Sequence, residues 1–383
     1  MDKFFDKYGI NGLAENVANY YTEALTDYEK YGDKIMDFEQ YNIYTYMKDD
    51  IARIRGKLVW DRDNIVYCYT LARAIGANDR AAIKQLSKPR AQDNDELFDT
   101  LPLFALLWFI PEMRKKHGQM GIPSDVTEAT CNMFENQVQD FVDLNHRYGI
   151  SHYVGWMKSF LDCKIVRIGR FNFEKAAYNS PFDVFENDGR LAVLPKGVTF
   201  HRNGQILGGV DCSDEEGSFF ADIEETDDSF IGYRIENGIA LNERVTLKKS
   251  EWKRVLTQGD DIISVHIPSG GRMDDEVCDR DIARCREIFD TCFGGYKAFY
   301  CNSWLLDPQI KTIMGKDTNL TKFADRYTKF PTKNIENDVF EYVYLLPHTT
   351  PLEELPENTS FGRAVKQYLM EGKHIYGARG VFL

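Results

Sequence analysis

Residues 261–308 read DIISVHIPSGGRMDDEVCDRDIARCREIFDTCFGGYKAFYCNSWLLDP, and the organisation of the chain follows from them. Ile262 to Pro268 is a short apolar run with β-branched residues, the pattern of a buried strand, and it stops at Ser269-Gly270-Gly271. Val277, Cys278, Ile282, Cys285, Ile288, Phe289 and Cys292 then recur at three- and four-residue steps, which predicts a helix. Asp274, Asp275 and Glu276 crowd its first turn, where acidic groups suit the helix dipole. Gly294-Gly295 closes the helix, and Lys297 to Trp304 reads as a second strand. Strand, glycine turn, helix and strand make a right-handed crossover joining two neighbouring parallel strands. A glycine turn at a helix N-terminus, just past the end of a strand, presents unpaired backbone N–H groups, the arrangement in which α/β proteins hold anionic groups such as pyrophosphate.

Outside this stretch the chain divides by style. Residues 1–150 are helical in pattern, with faces marked by Leu13, Val17, Tyr20 and Tyr21, by Ile51, Ile54, Leu58 and Val59, and by Ile65, Tyr69, Ala72 and Ala74. Gly76-Ala77-Asn78-Asp79 reads as a stop followed by a new cap, and Ser87–Asp95 as a polar break. Gly121 to Asp125 opens another helix that runs to about Tyr148. The early tyrosines Tyr41, Tyr44 and Tyr46 suit packing between helices with wet hydroxyls, and could also serve a dimer. From residue 151 a short helix, Ser151–Leu161, leads to Lys164–Glu174, whose alternation is that of a strand. Arg170, Asn172 and Glu174 share one of its faces and Phe171 and Phe173 the other. Strand-like runs follow, then a helix over Val245–Leu256, helices after Pro308 and over Asn319–Phe330, a strand over Asp338–Leu346, a helix over Pro356–Gly372 and a last strand at Gly380–Leu383. The expected class is α+β, with a helical domain over 1–150 and a mixed-sheet domain over 151–383.

The totals narrow the function. At 383 residues the chain is long enough for two or three domains, and its net charge of −13 is shared, with 18 basic and 24 acidic side chains in residues 1–150. Neither half is basic, and phosphate-backbone binding needs a concentrated positive surface, which argues against nucleic acid and anionic membrane as main partners. The longest apolar run, Leu101–Ile110, is far short of a membrane span, and the start shows no signal-type segment, so a cytoplasmic protein is expected. Eight cysteines without a C-x-x-C pair read as reduced core thiols, with no metal site. The acidic segment Asp211–Asp228 lacks the fixed carboxylate spacing of a calcium loop.

Four motifs in order, GISHYVGWMKSFLDCKIVRIGRFNFE (149–174), VHIPSGG (265–271), CNSWLLDP (301–308) and ELPENTSFGRAVKQYLMEG (354–372), resemble the bacterial acyltransferase-domain proteins that pair an N-terminal helical domain with a GNAT-like C-terminal domain. The resemblance covers most of residues 120–383. It implies a mixed sheet with flanking helices, GNAT-like in the C-terminal domain, whose two central strands splay to admit an acyl thioester. It also implies an acyl-CoA donor with its pyrophosphate on Ser269, Gly270, Gly271 and Arg272. This loop reads HIPSGGRM where the GNAT-type signature is Q/R-x-x-G-x-G/A.

Transfer from such a thioester to a small amine needs a base, donors on the carbonyl oxygen and an acid for the thiolate. His266 and Glu174 are the candidate bases. The ordinary alternatives are a histidine that props the glycine turn and a glutamate paired with Arg170 or Arg167. Ser303 is the candidate acid or carbonyl donor, against the ordinary job of capping the following turn. Cys301 permits covalent catalysis with His266 as its base, against simple burial. Arg170, Asn172 and Trp304 are expected to line the substrate. The reading is therefore a GNAT-like N-acyltransferase taking a short acyl group from acyl-CoA. Its rival is a non-catalytic ligand-binding or scaffold protein that keeps the fold.

Overall fold

A computed structural model describes residues 1–38, 47–90, 95–150, 154–333 and 337–383. Tyr41, Tyr44 and Tyr46, and the start of the helix expected at Ser151, lie outside the described residues. The chain forms two compact units, Met1–Ile168 and Gly169–Leu383.

The first unit is helical: α1 (Asp2–Asp6), α2 (Val17–Tyr31), α3 (Lys48–Leu58), α4 (Arg62–Gly76), α5 (Arg80–Leu86), α6 (Glu96–Leu107), α7 (Ile110–Met120), α8 (Ser124–Asn145) and α9 (Val154–Leu161), followed by strand β1 (Ile165–Ile168). Helix α4 buries Ile65 through Leu71 almost without interruption, and α6 buries Asp99 through Leu107. A helix that is apolar on nearly every side must be surrounded, and these two form the centre of the unit. The stop and restart expected at residues 76–79 is present. Helix α4 ends at Gly76, and the Asp79 carboxylate caps α5 by accepting from the Ala82 N–H at 3.1 Å.

The second unit is built of β2 (Phe171–Ala177), β3 (Phe182–Asn187), β4 (Arg190–Pro195), β5 (Val198–Phe200), β6 (Phe219–Ala221), β7 (Glu224–Glu225), β8 (Ser229–Glu236), β9 (Ile239–Lys248), β10 (Lys253–Leu256), β11 (Asp261–His266), α10 (Asp275–Cys292), β12 (Ala298–Ser303), α11 (Ile310–Met314), α12 (Asn319–Asp325), β13 (Thr328–Phe330), α13 (Asn337–Val339), α14 (Ser360–Met370) and β14 (Ala378–Phe382). Its central sheet runs β2-β11-β12-β14-β13. Strands β11 and β12 are parallel and the other neighbours antiparallel, so the expected crossover is the heart of this unit. One face of the sheet is covered by α10 and α12, where Phe173 meets Phe289 and Phe171 stacks on Phe323. The other face packs Ile262, Ala298 and Val381 against Phe182, Phe200 and Val193 of the smaller sheets β10-β3-β4 and β5-β6. Residues 304–375 close a satellite core around Phe340, Val365 and Ile375.

Five sequence expectations are corrected. Asn319–Phe330 is helix α12 only as far as Asp325, and Thr328–Phe330 is strand β13, paired with β14. Lys164–Glu174 is two strands, because Gly169 takes a positive φ of 55° and breaks the run. Val245–Leu256 is the end of β9 and the whole of β10, paired with β8 and β3, instead of a helix. Asp338–Leu346 is helical, not a strand: Val339, Phe340 and Tyr344 are buried while Tyr342 stands out in solvent, an arrangement that period-two alternation cannot give. Helix α10 begins at Asp275, four residues beyond Gly271, so the glycine turn is separate from the helix N-terminus, and the Asp274 carboxylate takes the Val277 N–H at 3.0 Å.

All eight cysteines are free thiols, and all but the half-buried Cys292 are buried. Among the described residues no helix is long and apolar enough to cross a membrane, and no group of three or more His, Cys, Asp or Glu is placed to hold a metal ion.

The break at Gly169 is also a fastening point. The backbone N–H of Arg170 donates to Oδ2 of Asp281 at 2.6 Å, and Asp281 is buried on the inner face of α10. A Cβ at Gly169 would collide with that carboxylate. Gly169→Ala is expected to lower stability by about 2–4 kcal/mol, by adding a left-handed non-glycine residue and expelling a buried charge from its donor. Urea denaturation of the two proteins checks it.

Candidate functional site

Strands β11 and β12 pair at Ile262↔Ala298, Ile263↔Phe299 and Ser264↔Tyr300, and there the ladder ends. Both strands go on. β11 continues to His266 on β2, with Val265↔Phe173 and His266↔Asn172, while β12 continues to Ser303 on β14, as far as Ser303↔Ala378. Each central strand is thus held by its outer neighbour past the point where the two part. The pairing stops at the place where the family resemblance implies that the two strands splay.

Alternation along the strands decides what faces the opening. Ile262, Ala298 and Tyr300 share a core cluster on the face away from α10, so Ser264, His266 and Asn302 point the same way, as do Asn172, Glu174 and Arg379 by register. On this face Nε2 of His266 lies 2.9 Å from Oε2 of Glu174, with side chains 31% and 25% exposed. Glu174 therefore pairs with His266, in place of the Arg170 or Arg167 partnership weighed from sequence. The two candidate bases become one solvent-accessible pair at the end of β11. Asn172 is buried opposite His266 in the register.

Cys301 is not brought to His266. It belongs to the opposite set of β12, with Phe299, and its thiol is buried, which pushes its pKa up to about 12. A thiol kept protonated and turned toward the helix side is no nucleophile for this opening. Ser303 does the capping job: its Oγ accepts the Leu305 N–H at 3.2 Å at the start of a short 3₁₀ turn. Trp304 stacks on Phe361, with ring centroids 5.5 Å apart, and is packed against the satellite core.

Ser269, Gly270, Gly271 and Arg272 form an exposed loop beyond β11. Gly270 and Gly271 have φ of 78° and 67°, a left-handed pair that side chains rarely adopt. A Cβ on Gly271 would stand 3.3 Å from Cδ of Arg170, so the Arg170 chain lies against this turn. Nε and Nη1 of Arg170 are buried without a hydrogen-bond partner among the described residues, and burial lowers the guanidinium pKa. Two orphaned donors on a permanent cation beside a glycine turn fit a phosphate oxygen. The acidic first turn of α10 does not oppose this fully. Arg326 bridges Asp275 at 2.9 Å and Asp279 at 2.8 Å, and its hydrogen bond holds the Asp275 carboxyl below the usual range.

Tyr300 and Arg379 were not singled out from sequence. Tyr300 occupies the last paired position, in the same row as Glu174 and Ser264. Its ring meets Tyr178 edge-on at 5.7 Å, and burial raises its hydroxyl pKa although Arg379 acts against this. Arg379 lies opposite Asn302, reaches Oγ of Ser180 at 3.3 Å and leaves its Nε buried and unpartnered among the described residues. The available signal was period two: the residues of β12 that share a face with His266 are 300 and 302, not 301 and 303.

The opening is fixed at the β12 end by Asp307. This buried carboxylate accepts N–H groups from Gln309, Tyr376 and Gly377 at 2.7, 2.5 and 2.8 Å, tying the turn after β12 to the entry of β14. Burial pushes its pKa up to about 6 in spite of those donors. A carboxyl whose pKa is raised by folding binds its proton more tightly in the native state, so stability falls as pH rises from about 4 to 6. Asp307→Asn is expected to flatten that slope, removing a pH-dependent contribution of about 3 kcal/mol, as read from thermal or urea unfolding across the interval.

Comparison with known proteins agrees with this architecture. Residues 165–382 match the GNAT-like C-terminal domain and residues 48–163 the N-acyltransferase N-terminal domain, and the chain belongs to this acyltransferase family. Among solved structures it is similar to a mutant acyltransferase in complex with octanoyl-CoA, at TM-score 0.63 and 17% identity, covering 100% of this chain and 98% of that one. It is also similar to an acyltransferase in complex with decanoyl-CoA and teicoplanin, at TM-score 0.57 and 18% identity, covering 88% and 86%. At such identities the likeness is one of fold. The search of curated proteins finds no match.

Proposed function

We propose that this protein is an acyl-CoA-dependent N-acyltransferase and that the opening between β11 and β12 receives the thioester arm. The observation that carries the reading is the position of the Glu174–His266 pair, 2.9 Å apart, beside the point where the two parallel strands stop pairing. The amine lone pair attacks the thioester carbonyl carbon, and its proton passes to the Glu174–His266 pair. The C–S bond then breaks and the thiolate leaves with a proton. Tyr300, whose phenol is protonated at neutral pH, replaces Ser303 as the candidate donor of that proton, since the Ser303 hydroxyl is engaged as a cap. Arg170 and the Gly270-Gly271 turn would hold the donor's phosphates, with the exposed Arg272 at the rim.

The solved relatives hold octanoyl- and decanoyl-CoA, so the donor series to test runs from acetyl-CoA to decanoyl-CoA. One of them also holds teicoplanin, so the acceptor panel joins small amines, the class expected from sequence, with that large one. Glu174→Gln and His266→Gln are each expected to lower kcat about 10²–10⁴-fold with little change in KM for the donor, in an assay of thiol release. Arg170→Ala should do the reverse, raising the donor KM about tenfold while kcat stays within a few-fold. Absence of any acyl-CoA-induced rise in melting temperature at about 1 mM ligand would overturn the proposal in favour of a scaffold role.

A further inference from the structure

The first unit contains a cavity of about 440 Å³ between helices α5 and α9. That is within the range of small-molecule sites, roughly 300–1,000 Å³. Its lining carries five cations, Arg80, Lys84, Lys88, Lys158 and Lys164, and one carboxylate, Asp162. The whole chain has 47 basic and 60 acidic side chains, so the balance here is the reverse of the protein's own. No lining residue belongs to the loop 269–272 or to the Glu174–His266 pair.

Helical spacing sets how these charges are distributed. Arg80 and Lys84 are four residues apart on α5, about 6 Å along its axis, and Lys88 follows at the same interval just past its end. The three are exposed and form one row, with the buried Ile83 and Ser87 lining the cavity between them. Like charges at this spacing repel, and none of the three has an ion-pair or hydrogen-bond partner among the described residues. Lys158, on α9, is the opposite case. Its side chain is only 11% exposed, and its Nζ donates to Oδ1 and Oδ2 of Asp162 at 2.8 and 2.6 Å. Lys164 lies 3.8 Å from the same carboxylate. Asp162 is therefore engaged on the α9 side, and the α5 row stays unneutralised. Val154 and Gly155, at the start of α9, add an apolar edge with space beside it: a Cβ on Gly155 would meet nothing within 4 Å.

We propose that this cavity binds a free organic polyphosphate of the size and charge of a nucleoside triphosphate, at a site separate from that of the acyl donor. A single carboxylate would neutralise one cation of the row and leave the others repelling. Consecutive phosphates meet the whole row, their oxygens accepting from the Lys84 and Lys88 ammonium groups and from the Arg80 guanidinium. The volume beyond the phosphates takes the organic part, against Ile83 and Val154.

The test is isothermal titration calorimetry on the full chain at about 50 mM salt, with EDTA and excess octanoyl-CoA present, using ATP, AMP and adenosine as probes. ATP is expected to bind at least about tenfold more tightly than AMP, and adenosine to show no binding at about 1 mM. Raising the salt to about 300 mM should weaken ATP several-fold. Lys84→Glu and Lys88→Glu, both at exposed positions, should each weaken ATP about tenfold or more and leave octanoyl-CoA binding unchanged. Arg170→Ala should do the opposite, weakening octanoyl-CoA and leaving ATP unchanged. Failure of ATP to bind, equal binding of adenosine, or undiminished binding to both lysine variants overturns the proposal. So does a joint loss of ATP and octanoyl-CoA in any of the three variants, because the phosphates met here would then be the donor's own. Octanoyl-CoA reads the donor site in the same samples, so failure of one conclusion is distinguishable from failure of the other.

Discussion

A parallel ladder that lasts three residue pairs and then opens is the constraint on which the second unit depends. Parallel strands left to themselves continue pairing, because every unpaired N–H and C=O near the core costs free energy. Here each central strand has another partner to turn to. β2 accompanies β11 to His266, and β14 accompanies β12 to Ser303, so the backbone groups of the outer sides stay satisfied while the inner edges separate. The crossover helix α10 ties the strands together at the closed end, and the Asp307 turn secures the open end.

The site follows from period two acting across this gap. A row of residues on four strands, Glu174, Ser264, Tyr300 and Val381, faces one way, and the next row brings Asn172, His266, Asn302 and Arg379. Phe173, Val265, Phe299 and Cys301 belong to the other face and make the core with α10. Residues of the proposed site and residues of the core alternate along the same short strands. This is why Glu174 and His266, 92 positions apart, meet, while Cys301 stays out of reach.

How much of this was legible in the sequence depends on how local the determining contact is. The crossover, the stop and new cap within residues 76–79 and a last strand at the end of the chain are written in short-range patterns and are present in the structure. The loop glycines were legible because positive φ selects their residue type. The pairing of His266 with Glu174 was not, since strand register is a long-range property, although each residue was a candidate on its own. Val245–Leu256 was misread because its lysines and Trp252 suit a helix surface as well as an edge strand; its first part is the far end of the β8–β9 hairpin, and β3, the partner of β10, lies much earlier in the chain. Asp338–Leu346 was misread by its valine and aromatic content, which burial against α14 overrides.

The eight unpaired thiols set how the molecule ages. No covalent bridge shortens the unfolded chain, so the native state rests on burial and hydrogen bonding alone. Seven sulfurs are shielded, and Cys278, Cys285 and Cys301 are further held as thiols by desolvation. An oxidant therefore reads only Cys292 while the fold is intact, and meets all of them once it opens. Global unfolding in air becomes a one-way step, and the lifetime of the protein outside a reducing medium is governed by how seldom it unfolds.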